Sequence, residues 1–177
     1  SYVGRSSGIR DRVLNINETA DVWSYAYGNN LLTLSSIYNR RIMVICLVFG
    51  CRQQEARLST WDEWDLKNWV WTVPKEHSKN KEAIVRPVPD GIKQWIVNLY
   101  AETKNRGYVV GCALQRATIT GAANRICRRL GHDTNGLWCI HDFRRTFSTT
   151  LNDMGADPYI VELLLGHKVK GVAGVYN

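Results

Sequence analysis

The spacing of apolar residues predicts that the chain begins its folded part with two helices. Apolar side chains recur three and four positions apart between Val22 and Tyr27, after two asparagines that can cap a helix. A second helix begins at Ser35 or Ser36 and ends at Gly50. This second segment is apolar around much of its circumference, which is typical of a helix buried on most sides.

Between residues 61 and 89 the pattern changes to that of strands. Tryptophan and β-branched residues dominate from Trp61 onward, and a polar run from Lys75 to Lys81 separates two apolar stretches. Aromatic and β-branched residues favour strands, and a polar run between two such stretches favours a hairpin. We therefore predict a small antiparallel three-stranded sheet whose hairpin tip carries Lys75, Lys79 and Lys81.

Helical spacing returns after the sheet. One helix is predicted from Asp90 to Gly107, and another from Thr118 or Thr120 to Gly131. The order of helices, a small sheet and more helices predicts an α+β domain that is mainly α-helical.

Two final helices are marked by their end signals. Gly155 is placed to close the first of them, and Asp157 followed by Pro158 is a typical helix start. His141 and Arg144 are three positions apart at the beginning of the first helix, so their side chains share one face and can meet one ligand.

The composition of the chain indicates what kind of partner it binds. The 177 residues carry a net charge of +7, and the pI is about 9.3. Lysine and arginine are spread along the chain, which favours a polyanionic partner, although ordinary solubility charge would also explain it. Five cysteines at irregular spacing indicate no disulfide framework. With no signal peptide and no apolar run of bilayer length, we expect a soluble, cytoplasmic protein.

Several other chemistries lack the sequence pattern they require. Four residues have side chains that suit zinc, but their spacing matches no usual zinc motif: Cys127, His132, Cys139 and His141. No nucleophile elbow, cysteine-protease signature or glycine-rich nucleotide loop is present. We therefore expect no metal and no cofactor.

A set of basic residues and one tyrosine remains. Arg52 follows the predicted core helix, with Glu55 three positions later to brace it. His167 follows the last apolar helix, and Tyr176 comes nine residues after it. With the HDFRRTF segment from His141, the LGH segment ending at His167, and the first arginine motif GCRQQE, the chain resembles the tyrosine recombinases of the phage integrase family from about Leu14 onward.

The resemblance implies a tyrosine recombinase catalytic core and a division of roles. Arg52 and Arg144 would hold the phosphate, Tyr176 would attack phosphorus, and Lys79 would protonate the leaving 5′ oxygen. His141 would assist proton transfer at the tyrosine, and His167 would hydrogen-bond the phosphate. Lys75 and Lys81 remain alternatives to Lys79, which is preferred because its distance to Pro87 is similar to the hairpin spacing of the family.

Further arginines are candidates for contacts with DNA. Arg125, Arg128 and Arg129 lie close together on one predicted helix, and a solvated face is as good an explanation of them as phosphate contact. Arg145, next to Arg144, is assigned to the same group.

The resemblance also sets expectations about domains and function. Residues 1–13 are interpreted as a linker or arm and residues 14–177 as a catalytic domain, a fragment without the family's N-terminal DNA clamp and the segment beyond the tyrosine. The expected function is integration or excision of a mobile element at attachment sites in duplex DNA, by a homotetramer at full length and a monomeric fragment in isolation. A non-cleaving DNA-binding module and a topoisomerase of type IB without strand exchange are the alternatives.

Overall fold

The computed structural model describes residues 11–28 and 36–168. Within these residues the chain forms seven α-helices and three strands, which confirms the predicted α+β, mainly helical class. The helices are α1 Ile16–Tyr27, α2 Ile37–Phe49, α3 Gln53–Arg57, α4 Lys93–Thr103, α5 Arg116–Arg129, α6 Ile140–Asp153 and α7 Pro158–Leu165. The strands are β1 Trp64–Asp65, β2 Val70–Val73 and β3 Ile84–Pro87.

The first two helices form where capping and burial favour them. The Asn15 side chain accepts a hydrogen bond from the Glu18 amide at 2.9 Å, and Glu18 accepts one from the Asn15 amide at 3.1 Å, completing a capping box. Ser36 caps α2, whose residues from Ile42 to Cys46 are fully buried. Helix α2 packs against α1 and α6 and is therefore the core helix that its apolar pattern predicts.

The three strands form one antiparallel sheet in the order β1, β2, β3, as predicted. Trp64 and Trp71 face each other across the β1–β2 pair, and their rings stack with centroids 4.7 Å apart. Phe49, the last residue of α2, packs edge-on against Trp71 at 5.1 Å. Aromatic packing thus fixes the sheet to the end of the core helix.

Some boundaries differ from the sequence prediction. Trp61 lies in a 3₁₀ turn instead of a strand, because Glu63 accepts a hydrogen bond from the Thr60 amide and caps that turn. Helix α4 ends at Thr103, whose hydroxyl contacts the carbonyls of Leu99 and Val109, and not near Gly107.

Helices α4 and α5 also begin at other residues than predicted. A 3₁₀ turn over Asp90–Ile92 precedes α4, so Asp90 is not the cap of that helix. Helix α5 begins at Arg116, two residues before Thr118 and four before Thr120. In contrast, Asp157 caps α7 with Pro158 in its first turn, and Gly155 has the positive φ of +81° expected after a helix.

The described part of the N-terminal segment is attached to the helices. The Arg12 guanidinium pairs with Glu18 and donates to the Gly136 carbonyl at 3.1 Å, while the Leu14 amide donates to the Thr146 hydroxyl at 3.0 Å. The interpretation of residues 1–13 as a linker or arm stays a prediction. None of the helices in residues 11–28 and 36–168 is long and apolar enough to span a membrane.

The turn at Gly50 sets where the chain leaves α2, and substitution there should destabilise the fold. Its φ is +61°, and an added Cβ would lie 2.3 Å from Cδ1 of Phe147. We expect Gly50→Ala to lower the free energy of unfolding by about 2–4 kcal/mol in urea titrations. Gly91→Ala is the control, since nothing lies within 4 Å of the added Cβ, and it should change stability by less than about 0.5 kcal/mol. Equal stability of the two variants would contradict this prediction.

Candidate active site

Arg52 is placed at the start of α3, directly after the turn that ends α2. Its backbone is extended, and its side chain is mostly buried, with 17% exposed. The Arg52 amide donates to Oε2 of Glu55 at 3.2 Å, whereas the guanidinium Nη1 lies 3.7 Å from the same oxygen. Nη1 is buried and has no hydrogen-bond partner in the structure. Glu55 therefore fixes the backbone of Arg52 more tightly than its guanidinium.

The strongest partner of Glu55 is a residue that the sequence did not indicate. Arg86, in β3, is 1% exposed and donates from Nη1 to Oε1 of Glu55 at 2.6 Å. Its Nε donates to the Leu164 carbonyl at 2.8 Å, and its guanidinium lies over the Trp71 ring at 5.2 Å. Arg86 thus joins the sheet, α3 and the end of α7 in one contact network.

Arg144 reaches from α6 to the ends of two other helices. Its Nη1 donates to the Gly50 carbonyl at 2.9 Å, and its Nη2 donates to the Leu165 carbonyl at 2.7 Å. Burial and then the positive charge of Arg52 lower the pKa of Arg144 to about 10. The side chain therefore still carries its charge at neutral pH, at a cost in electrostatic energy that an anion would offset.

His167 lies beside Arg144 at the end of α7. Nη2 of Arg144 is 3.0 Å from His167 Nε2, and Nδ1 of His167 is 2.5 Å from a Glu162 oxygen. Because an arginine can only donate, Nε2 must accept, which leaves Nδ1 as the protonated nitrogen that donates to Glu162. A hydrogen bond from Nε2 to a phosphate therefore first requires that Arg144 release this nitrogen.

His141 stands at the start of α6 with an exposed side chain. Desolvation by the surrounding protein lowers the pKa of His141, and the charges of Arg144, Arg145 and Arg52 lower it further. A positively charged neighbourhood disfavours the imidazolium, so the neutral ring, which can accept a proton, is the main form at neutral pH.

A groove of about 640 Å³ joins these elements on the surface. Its lining residues, all in the described part of the chain, include no aspartate or glutamate, and five of them are lysine or arginine. His141 and His77 also line it. The lysines and arginines are Arg52, Arg57, Lys79, Lys81 and Arg116. Such a cavity favours an anionic ligand over any other.

The structure brings together most of the site residues predicted from the sequence. Arg52, Lys79 and His141 line the groove, whereas Arg144 and His167 contact each other and are not among its lining residues. Lys81 also lines the groove, so two of the three hairpin lysines remain candidates for the acid. Tyr176 lies outside the described residues, and its place in the site stays a prediction.

The arginines predicted to contact DNA are not among the residues that line the groove. Arg125, Arg128 and Arg129 are exposed on α5, and the last two lie in its final turn. Arg116 and Thr120 are the α5 residues that line the groove. At 1.5 Å per residue, Arg128 is about 12 Å along the helix axis from Thr120, and Arg125 is about 8 Å from it. Arg145 is half-buried, with Nε 3.5 Å from Asp142. DNA contacts by these four residues stay predictions.

Comparison with known proteins identifies the family. The sequence model of the phage integrase family matches residues 14–177. The chain belongs to that family. The resemblance seen in the sequence is therefore confirmed.

Individual relatives agree with this assignment. The prophage integrase IntZ of Escherichia coli (strain K12) is 25% identical over 154 residues, which are 86% of this chain and 38% of IntZ. The Tn1549 transposon integrase, solved in complex with circular intermediate DNA, superposes on 95% of this chain and 61% of its own with a TM-score of 0.70 and 16% identity. A lambda integrase tetramer bound to a Holliday junction superposes on 93% of this chain and 49% of its own, with a TM-score of 0.65 and 18% identity.

These comparisons confirm the predicted recombinase catalytic-core fold. At such low identity the two solved structures show a shared fold and nothing finer. The chain spans well under half of the length of the curated relatives that it matches.

The buried pair of Glu55 and Arg86 should carry much of the stability of the site. Removing one partner of a buried ion pair leaves the other charge desolvated and uncompensated. We expect Glu55→Ala to lower the free energy of unfolding by about 3–5 kcal/mol in urea titrations. The control is Glu82→Ala, which breaks the exposed pair with Lys168 and should cost about 1 kcal/mol or less. Similar losses in the two variants would contradict the prediction.

The lowered pKa of His141 can be measured directly. An NMR titration of its ring should give a midpoint below the ordinary 6.5. Arg145→Gln should raise that midpoint by removing one repelling charge, and Arg129→Gln on α5 should leave it unchanged. In the unfolded wild-type chain His141 has its ordinary pKa and binds a proton more readily than in the folded chain. As the pH falls through 6.5, this difference therefore lowers the free energy of unfolding. A wild-type midpoint above 6.5 would contradict the prediction.

Proposed function

We propose that the protein to which this chain belongs is a site-specific DNA recombinase that integrates or excises a mobile element. It cuts and rejoins duplex DNA through a 3′-phosphotyrosyl intermediate. The observation that carries the proposal is the convergence of Arg52, Lys79 and His141 on one groove whose described lining residues include no carboxylate. Arg144, whose charge acts on His141, contacts His167. Membership of the phage integrase family supports the same reaction.

The groove has the donors that an anionic phosphodiester needs. Arg52 has a buried Nη1 and Arg57 a buried Nε without a hydrogen-bond partner. Buried donors of this kind are rare unless a ligand or water satisfies them. Oxygens of a bound phosphate would accept from them, and charge-assisted bonds of this type strengthen as negative charge builds up in the transition state.

The proposed chemistry conserves the energy of the phosphodiester. The Tyr176 oxygen attacks phosphorus, the bond from phosphorus to the 5′ oxygen breaks, and Lys79 gives its proton to that oxygen. His141, neutral at working pH, accepts the proton that leaves the tyrosine. Attack by the 5′ hydroxyl of another strand reverses the steps, so joining requires no outside energy source.

DNA is the proposed partner, and the assembly is a proposal by analogy. The Tn1549 integrase was solved with DNA, and lambda integrase as a tetramer on a Holliday junction. We infer that the full-length protein likewise binds duplex attachment sites as a homotetramer. Two strands can then be exchanged between two duplexes, which a lone monomer cannot do.

Covalent trapping on a nicked duplex tests the reaction. The full-length wild-type protein should form a covalent adduct on a suicide substrate, because the cleaved 5′ fragment diffuses away and prevents rejoining. Tyr176→Phe should form none, since it lacks the attacking oxygen, while still shifting the same duplex in a gel. The control Tyr159→Phe removes the hydroxyl of an exposed tyrosine on α7 and should react as wild type does.

The outcomes separate the proposal from its alternatives. An adduct that persists with Tyr176→Phe would show that another residue is the nucleophile. Binding by the wild-type protein without any adduct would indicate a non-cleaving DNA-binding module. Adduct formation with supercoil relaxation but no recombinant product would indicate a topoisomerase.

A further inference from the structure

Three successive carbonyls at the end of α7 accept hydrogen bonds from three separate parts of the site. Arg86 in β3 donates to Leu164 O at 2.8 Å, and Arg144 in α6 donates to Leu165 O at 2.7 Å. Asn80, in the hairpin between β2 and β3, donates from Nδ2 to the Gly166 carbonyl at 3.2 Å. The end of α7 is therefore a common point of attachment for the sheet, α6 and the hairpin.

The chemistry of a helix end explains why these donors converge there. The last carbonyls of a helix have no partner within it and carry partial negative charge, so arginines and amide donors bind them readily. The chain after α7 turns at Gly166, whose φ is +77°. A Cβ at this residue would lie 2.4 Å from Cδ1 of Ile84, so the helix end also presses closely on the first residue of β3.

The hairpin that carries Lys79 is held at few points. Ser78, before the lysine, is buried, and Asn80, after it, makes the contact with α7. Gln54 of α3 reaches the His77 carbonyl at 3.4 Å, near the limit of a hydrogen bond. The pair of Lys168 and Glu82 is largely exposed and contributes little order. Nδ1 of His77 also lies 3.1 Å from Oε2 of Glu63, which links the hairpin to the 3₁₀ turn at Trp61–Glu63. Asn80 is the residue next to Lys79 that links the hairpin to α7.

We propose that Asn80 is a positioning residue for the general acid: it holds the hairpin against the end of α7 so that Lys79 points at the leaving oxygen. This inference rests on the proposed function. Arg86 and Arg144 fix the same helix end relative to Arg52 and the phosphate, so the Asn80 contact transmits that position to Lys79. A misplacement of about 1 Å in a catalytic group can cost about a hundredfold in rate.

The test compares two substrates that differ in their need for an acid. The first is an ordinary nicked duplex, and the second carries sulfur in place of the 5′ bridging oxygen at the scissile phosphate. A thiol has a pKa of about 8.5 and leaves as the thiolate without a proton, so the second substrate bypasses the acid. The full-length protein is used, and the rate of covalent adduct formation is measured under single-turnover conditions.

Asn80→Ala should lower the rate on the oxygen substrate by about ten- to a hundredfold and should react at the wild-type rate on the sulfur substrate. Lys79→Ala should show the same rescue with a larger initial loss. Arg144→Ala should be slow on both substrates, because charge cancellation is needed whichever atom leaves. Asn68→Ala is the matched control: its Nδ2 bonds Asp65 in the other hairpin of the sheet, and it should match wild type on both.

The failures are distinguishable. If the wild-type protein forms no adduct on either substrate, the proposed function is wrong. If Asn80→Ala matches wild type on the oxygen substrate, or is equally slow on both substrates, Asn80 does not position the acid although the recombinase function stands. Absence of rescue for Lys79→Ala would also overturn the inference, because the hairpin lysine would then not be the acid.

Discussion

The buried ion pair between Glu55 and Arg86 is the interaction on which the rest of the site depends. Desolvating two charges is costly, and the structure offsets the cost with further contacts: the Arg52 amide on the carboxylate, and the Leu164 carbonyl and Trp71 ring on the guanidinium. The pair joins α3, the sheet and α7, which are far apart in sequence. Without it, the Arg52 amide would lose the carboxylate that connects it, through Arg86, to the end of α7.

The site holds three arginines close together in a largely buried environment. Arg52, Arg86 and Arg144 lie close enough that burial and mutual repulsion lower the pKa of Arg144 to about 10. Glu55 is the buried carboxylate among them, and it is already paired with Arg86. The remaining positive charge destabilises the free protein and would stabilise a bound anion, so the same repulsion that weakens the fold favours the phosphate binding proposed for this site.

Local signals in the sequence predict what depends on local structure. The caps at Asn15, Ser36 and Asp157 act on neighbouring amides, and the tryptophan and β-branched residues of β2 favour a strand, so these features could be predicted. Arg86 could not, because an arginine in a strand is ordinarily exposed. Its burial depends on Glu55, 31 residues earlier, and on Leu164, 78 residues later.

The contact between Arg144 and His167 must open before both side chains can bind phosphate as proposed. Arg144 donates to two carbonyls and to Nε2 of His167, and these contacts occupy the groups of both side chains. The proposed chemistry directs the same groups to phosphate. A phosphate oxygen is a stronger acceptor for an arginine than a neutral imidazole nitrogen, because its charge assists the bond. Binding of DNA would therefore draw Arg144 toward the phosphate and free Nε2 of His167.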